Sequence, residues 1–365
     1  MNVLIYSGLT WNGIEESHCH NLTRILAQNH KVTYLEVPYC KDKTKVHIAW
    51  LGDYEQPDNV KLISYGETIK KKAYTEFFWT HLDYGLSYMI KTQLHTIKSF
   101  FQNVSKFDTA ILYNVYDLPF LLLCKLFRKK VIYAIVDDYT ELTPSTFWKR
   151  ILTFNEKIFI ALCDKAFCTA QDLKQKTNKA TYIPNSIRIN SLSRQTTKNP
   201  SVSFRVGYIG AVGKWIDSHS ISYAALNTPN IQYDIIGDGE NLKDIPNLPN
   251  ITKHGFIPNK QGLKIIKQCN IAIIPFKLNK ITHSVSPIKL FEYFQLGLPV
   301  ITSPTNELLQ YKDIIFFYNN NEELIERIQY LQNNPQICKQ KGKQGQEYIK
   351  ENTWEKLLPK YEELL

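Results

Sequence analysis

The sequence predicts an α/β fold made of two doubly wound parallel sheets. Three observations carry that prediction. Short apolar runs alternate with helix-length segments along most of the chain. A polar stretch without aromatics, "RINSLSRQTTKNP" at 188–200, interrupts the alternation. The length, 365 residues, suits two domains at roughly 100–200 residues each.

Taken in order, "NVLIY" is a short strand, "SGLTWNG" a glycine-containing turn, and "IEESHCHNLTRILAQNH" a helix with Ile14, Leu22, Ile25 and Leu26 inward. "KVTYLEV" is the next strand, and residues 66–104 are helical in composition. "TAILYN" and "KVIYAIVDD" read as buried strands, with "LPFLLLCKLFRK" as the helix between them. "FWKRILTFNEKIFIALC" is a helix, and "KAFCTA" and "TYIPNS" are strands. After the polar stretch the alternation restarts with "FRVGYIGAV", "IQYDIIGDGE", "ITKHGF", the helix around "QGLKIIKQC", "NIAIIPF", "DIIFFY" and the helix "NEELIERIQYLQNN". The last stretch, "ENTWEKLLPKYEELL", is an amphipathic helix. This plan gives an N-terminal domain at 1–187, a linker at 188–200, a C-terminal domain at 201–350 and a final helix at 351–365. Both domains read as Rossmann-like. Ligands of such sheets bind outside the carboxyl ends of the strands, so two facing domains would place a site in the cleft between them.

Composition narrows the classes. Seven scattered cysteines without CxxC spacing fit free thiols in a reducing compartment. The start lacks a basic region followed by an apolar stretch, and no run approaches a membrane span. The expectation is a cytoplasmic protein, or one peripheral at the inner face of the cell membrane. A net charge of +10 calls for an acidic partner: nucleic acid, an anionic membrane surface or a phosphorylated substrate. The absence of zinc-finger spacing and of an RNP-like aromatic motif argues against nucleic acid. The basic and aromatic stretch at 70–101, with "KLFRKK" at 125–130, suits an anionic interface or a helix pair with a solvated lysine face.

The segment "HSVSPIKLFEYFQLGLPVITS" (283–303) raises a chemical question. Ser286 can cap a helix, Pro287 fits its first position, and Gly297 can stop it. The helix is otherwise apolar, yet Glu292 lies one turn after Lys289. A carboxylate there could accept both hydroxyls of a ribose while the open amide end meets a pyrophosphate. The alternative is a surface ion pair of small value. At the end of another apolar strand, Asp137 and Asp138 are candidates for a general base, or for a helix cap beside a solvated acid. Asp217 reads as a cap for the following helix, with acceptor binding as the alternative, and His18 and His20 do not share a helix face.

"SVSPIKLFEYFQLGLPVITS" resembles the nucleotide-binding segment of the GT-B glycosyltransferases of bacterial cell-surface polysaccharide synthesis. "YIPNSI", "RVGYIGAVGKWID", "DIIGDGE", "KHGFIP" and the terminal helix match the same family in order, strongly from 180 to 305 and weakly before about 130. The resemblance implies the GT-B fold, two Rossmann-like domains facing each other across a cleft, with the terminal helix crossing back to the first. It implies a nucleotide-diphosphate sugar as substrate, UDP- or GDP-linked, with no cofactor and no metal, and a saccharide or polyprenyl-diphosphate-linked acceptor. Glu292 would hold the donor ribose, and Ser284, Val285 and Ser286 would meet the diphosphate or sugar. Lys289 would add positive charge, and Gly210 with Lys214 and Trp215 would lie against the phosphates. The backbone at Phe256 and Ile257 would meet the base, and the loop bracketed by Gly8 and Gly13 would approach the acceptor or the donor phosphates. One departure stands out: many retaining relatives carry a second glutamate where this chain has Ser284. That leaves three readings: a transferase, an inactive nucleotide-sugar-binding partner of another transferase, or a nucleotide-sugar epimerase.

Overall fold

The computed structural model describes residues 1–7, 17–35, 57–63, 94, 96–143, 145–188 and 203–365. Gly8 and Gly13, most of the 70–101 stretch and the polar stretch beyond Arg188 lie outside the described residues. The chain divides into two compact units, Met1–Pro184 with Leu357–Leu365, and Asn185–Lys356.

The first unit is a parallel sheet of β1 (Asn2–Tyr6), β2 (Lys31–Leu35), β3 (Val60–Ile63), β4 (Thr109–Leu112), β5 (Lys130–Ile135), β6 (Lys165–Cys168) and β7 (Ala180–Tyr182). Their order is β3-β2-β1-β4-β5-β6-β7, with β1 between β2 and β4 in parallel register. Strands covered on both faces have no polar side to show, which is why "TAIL" and "KVIYAI" read as nearly continuous apolar runs. β3 has no such signal. It is an edge strand of four residues, and Lys61 is exposed. Helices Leu118–Leu126 and Thr146–Leu162 bury Phe120, Leu121, Cys124, Leu152 and Phe159.

The second unit repeats the plan with β8 (Arg205–Ile209), β9 (Gln232–Ile236), β10 (Ile251–Gly255), β11 (Ile271–Ile274), β12 (Val300–Thr302) and β13 (Phe316–Phe317). The order is β10-β9-β8-β11-β12-β13. Each sheet therefore reverses direction beside its first strand, between β1 and β4 and between β8 and β11. Those switch points are where a parallel sheet leaves a crevice at its carboxyl ends.

The segment with the unexplained glutamate forms helix Ile288–Gln295. Pro287 occupies the N-cap position and makes no side-chain cap bond. The expected Ser286 cap is thus corrected: its hydroxyl accepts the Asn185 backbone N–H at 3.2 Å, and its carbonyl accepts Asn185 Nδ2 at 2.7 Å. The stop is as expected. Gly297 adopts φ 64°, and the N–H groups of Gly297 and Leu298 return to the carbonyls of Phe294 and Tyr293, both at 3.0 Å. This paired closure needs a left-handed residue, which glycine supplies without strain. The long helix Pro335–Glu351 had no counterpart in the sequence reading. It packs behind Ile288–Gln295, close enough that a Cβ on Gly342 would stand 2.1 Å from the Gly297 carbonyl oxygen.

Candidate functional site

The helix Ile288–Gln295 sorts its residues by face. Leu290, Phe291, Tyr293 and Phe294 are buried, whereas Ile288, Lys289 and Glu292 are half-buried. Spacings of three and four put these last three along one side. Glu292 is in an apolar helix because the helix has a second side, not because its core tolerates a charge. Tyr293, the next residue, accepts the Ile209 N–H on its hydroxyl at 3.0 Å. That bond fixes the rotation of the helix against the end of β8, and so the side from which Glu292 projects.

Glu292 Oε1 accepts a hydrogen bond from Asn259 Nδ2 at 2.9 Å. Asn259 opens helix Asn259–Ile266, directly after Phe256, Ile257 and Pro258 at the end of β10. The loop of Phe256 and Ile257 and the Glu292 carboxylate are therefore tied together by a residue that the sequence reading did not single out. Its one signal was its place at a strand-to-helix turn, a common position for Asn.

Lys289 reaches the switch point. Its Nζ donates to the Tyr208 hydroxyl at 2.9 Å and lies 4.6 Å from the Tyr208 ring centre and 5.5 Å from that of Phe276. Tyr208 is on β8, and Phe276 follows β11. A Cβ on Gly210 would stand 2.8 Å from the same ammonium. Gly210, at φ 134°, thus serves two ends: a backbone turn at the end of β8 and room for Lys289. The loops after β8 and β9 are bonded to each other, Gly210 N–H to Ile236 O and Val212 N–H to Asp238 O, both at 2.9 Å. The "GDG" turn is accordingly part of the wall behind Gly210.

The remaining residues expected at the donor divide. Ser284 is buried and its hydroxyl donates to the Lys280 carbonyl at 3.2 Å. Val285 is half-buried in the loop before the helix. His283 Nδ1 accepts the Asn306 N–H at 3.1 Å, so a neutral ring carries its proton on Nε2. Trp215 packs partly on the core. Lys214 is 81% exposed and pairs with Glu240 at 3.5 Å, an open surface contact. Asp217 caps helix Ser218–Asn227 through the N–H groups of His219 and Ser220.

In the first unit, Asp137 and Asp138 follow β5, one strand from the β1–β4 switch point. Their environments differ sharply. Asp138 caps the short helix Tyr139–Leu142, accepts Thr140 Oγ1 at 2.7 Å, and pairs with Lys176 at 2.9 Å. Burial works against its charge, but the Thr140 and Lys176 bonds win and hold its carboxyl below the usual range. Lys176 also pairs with Glu156 at 2.8 Å. Asp137 has no hydrogen-bond partner among the described residues. Burial, with the neighbouring charge of Asp138, raises its carboxyl from 3.8 to about 7. His18 is buried between the hydroxyls of Tyr113 and Tyr361, both at 2.9 Å. Burial pulls it down to about 3, so the ring is neutral.

Comparison with known proteins bears on this arrangement. Residues 220–362 match the family model described as Glycosyl transferase-like. Across the whole chain, the structure is similar to sucrose-phosphate synthase from Thermosynechococcus elongatus, with TM-score 0.75, 13% identity and coverage of 100% of this chain and 98% of that one. The fold is GT-B. A second GT-B neighbour is Anabaena Alr3699/HepE in complex with UDP and glucose, with TM-score 0.68, 12% identity and coverage of 100% and 99%. Among curated proteins, TuaH of Bacillus subtilis (strain 168), a glycosyltransferase assigned to teichuronic acid biosynthesis, is 28% identical over 130 residues. That match covers 34% of this chain and 32% of TuaH, about a third of the relative's length. The matched family region includes Glu292, Lys289, Asn259 and the loops on which they are set.

Proposed function

We propose that this GT-B chain is a glycosyltransferase that moves a sugar from a nucleotide-diphosphate sugar to a hydroxyl of a saccharide acceptor, lipid-linked, in surface polysaccharide synthesis. One observation carries the donor half: Glu292, braced by Asn259, stands on the same helix side as Lys289, whose ammonium lies at the β8–β11 switch point. A carboxylate can accept two ribose hydroxyls, and a cation can offset the diphosphate charge as it leaves. The UDP named in the HepE structure and the polymer named for TuaH support the substrate classes.

In this reading Glu292 holds the ribose and the backbone at Phe256 and Ile257 meets the base. Lys289 and the open end of helix Ile288–Gln295 face the diphosphate, which dispenses with a metal. Asp137 takes the proton from the acceptor hydroxyl as its oxygen attacks the anomeric carbon. The bond to the diphosphate oxygen breaks, and its electrons leave with the nucleotide. Asp137 as base, with Ser284 where many retaining relatives have an acid, favours inversion by direct displacement.

The test is a thermal-shift screen with UDP, GDP and their sugars. A ligand of the folded form raises the melting temperature with its concentration and affinity. Glu292→Ala should abolish the shift while leaving the ligand-free melting temperature close to the parent's. A variant that responds like the parent overturns the ribose assignment. Donor binding without transfer to any lipid or saccharide acceptor would favour the non-catalytic partner.

A further inference from the structure

The first unit exposes large apolar side chains that its core does not use. On helix Thr146–Leu162, Phe147 is 65% and Phe154 62% exposed. Arg150 and Lys157 are exposed too, and the spacing 147, 150, 154, 157 places all four along one helix side. That side therefore alternates aromatic and cation. The adjoining helix Leu118–Leu126 exposes Leu122 and Leu126 and runs into Phe127 and Arg128, which are also exposed. Phe127 meets Phe101 edge-on, with ring centres 5.7 Å apart. Phe101 belongs to the helical residues 96–103, which also expose Lys98.

Isolated surface apolar residues need no explanation, but a grouped set does. In the second unit the exposed Leu226, Leu278, Leu309 and Tyr330 are on four separate segments. In the first unit they recur on helices that pack against one another, since Phe100 of the 96–103 segment touches both Phe120 and Phe127. Charge selects the occupant. Among the described residues of these three helical segments, the acid present is Glu156, and it is buried against Lys176. Lys98, Arg128, Arg150 and Lys157 have no acidic partner among the described residues. A second copy of the chain would bring the same cations against these. A negatively charged lipid surface would accept both the rings and the charges.

We infer that this helical face of the first unit, centred on Phe147, Arg150, Phe154 and Lys157, rests on an anionic membrane. The aromatic rings enter the headgroup boundary, and the cations pair with lipid phosphates. This deepens the lipid-linked half of the proposed function, but it does not depend on Glu292. Among the described residues no helix is long and apolar enough to cross a membrane, so attachment by this face is interfacial.

Co-sedimentation of the full chain with vesicles tests it. The parent should bind phosphatidylglycerol-containing vesicles, weakly bind pure phosphatidylcholine, and lose binding as salt is raised. Arg150→Gln with Lys157→Gln should weaken anionic-vesicle binding roughly 30-fold, from about 1 kcal/mol per cation near the surface. Phe147→Ser with Phe154→Ser should weaken it to a similar degree. Both variants should keep the parent's melting temperature and its donor-induced shift. Vesicle binding equal to the parent's in both variants overturns the proposal, as does a parent that ignores anionic vesicles. A dimer that both variants convert to monomer, with vesicle binding unaltered, assigns the face to self-association instead. Because the donor shift reports on the other unit, either proposal can fail alone.

Discussion

Asp137 and Asp138 show how far two adjacent residues of one type can diverge. Asp138 is occupied by a helix end and by Lys176, which is 38 positions away. Asp137 is half-buried with no hydrogen-bond partner among the described residues, and its carboxyl rises to about 7. Asp137→Asn should lower kcat by roughly 10²- to 10⁴-fold, the usual worth of a general base, with donor affinity retained. The parent's rate should fall as pH drops through about 7, because the base must be ionised to act. Stability should show the opposite face of the same shift. A folded pKa above the ordinary value means that folding disfavours the charge, a cost absent below the ordinary carboxylate range and complete above about 7. Asp137→Asn should therefore melt higher than the parent in alkaline buffer, with the gain vanishing toward the ordinary aspartate pKa in a pH series of melting curves. At the site proposed for the donor, Asn259→Ala removes one hydrogen bond to a charged group. It should raise the donor Kd about tenfold, as calorimetric titration would register, without abolishing binding. The carboxylates could be read from the chain as candidates at strand and helix positions. Lys176 and Asn259 could not, because nothing local marks which distant side chain will meet an acid.

Among the elements, the loops after β8 and β9 are the most tightly constrained. Gly237 adopts φ 132°, and a Cβ there would stand 2.0 Å from the Gly210 carbonyl oxygen. Gly237→Ala combines a disfavoured backbone with a clash against main chain, which has no rotamer to yield. The backbone part alone is worth roughly 1–3 kcal/mol, so chemical denaturation should show at least that loss. The donor-induced shift should weaken as well, since Gly210 borders Lys289. Helix Pro335–Glu351 illustrates the opposite case, an element hidden in its sequence. "PQICKQKGKQGQEYIKE" is polar and carries two glycines, which read as helix breakers. In the fold they are where the helix must come close: a Cβ on Gly345 would stand 2.6 Å from the Phe294 ring. Tertiary contact overrides propensity here, and the result is a firm backing for the helix that presents Glu292.

At the scale of the molecule, each unit carries its own core, and Leu357–Leu365 belong to the first. Leu357, Leu358, Tyr361 and Leu364 are buried there. Tyr361 bonds His18, Glu362 meets His30 at 3.1 Å, and Lys130 and Lys165 donate to the carbonyls of Leu365 and Glu363. Deleting Leu357–Leu365 should destabilise the first unit by roughly 6–12 kcal/mol, from about 1.5–3 kcal/mol for each of these buried side chains. Calorimetry should then show an early transition for that unit, with a later one that still moves upward on donor addition.

From the chain alone, the two alternating βα arrays, the apolar strands of both sheets apart from β3, the glycine stop at Gly297 and the candidacy of Glu292 were determined, because each rests on local periodicity or backbone conformation. Only tertiary structure decided that Lys289 stands against Gly210 at a switch point, that Asn259 braces Glu292, and that Lys176 occupies Asp138 while Asp137 has no hydrogen-bond partner among the described residues. Those facts depend on which strand ends become neighbours. Sheet order sets that, and the order of residues along the chain does not display it.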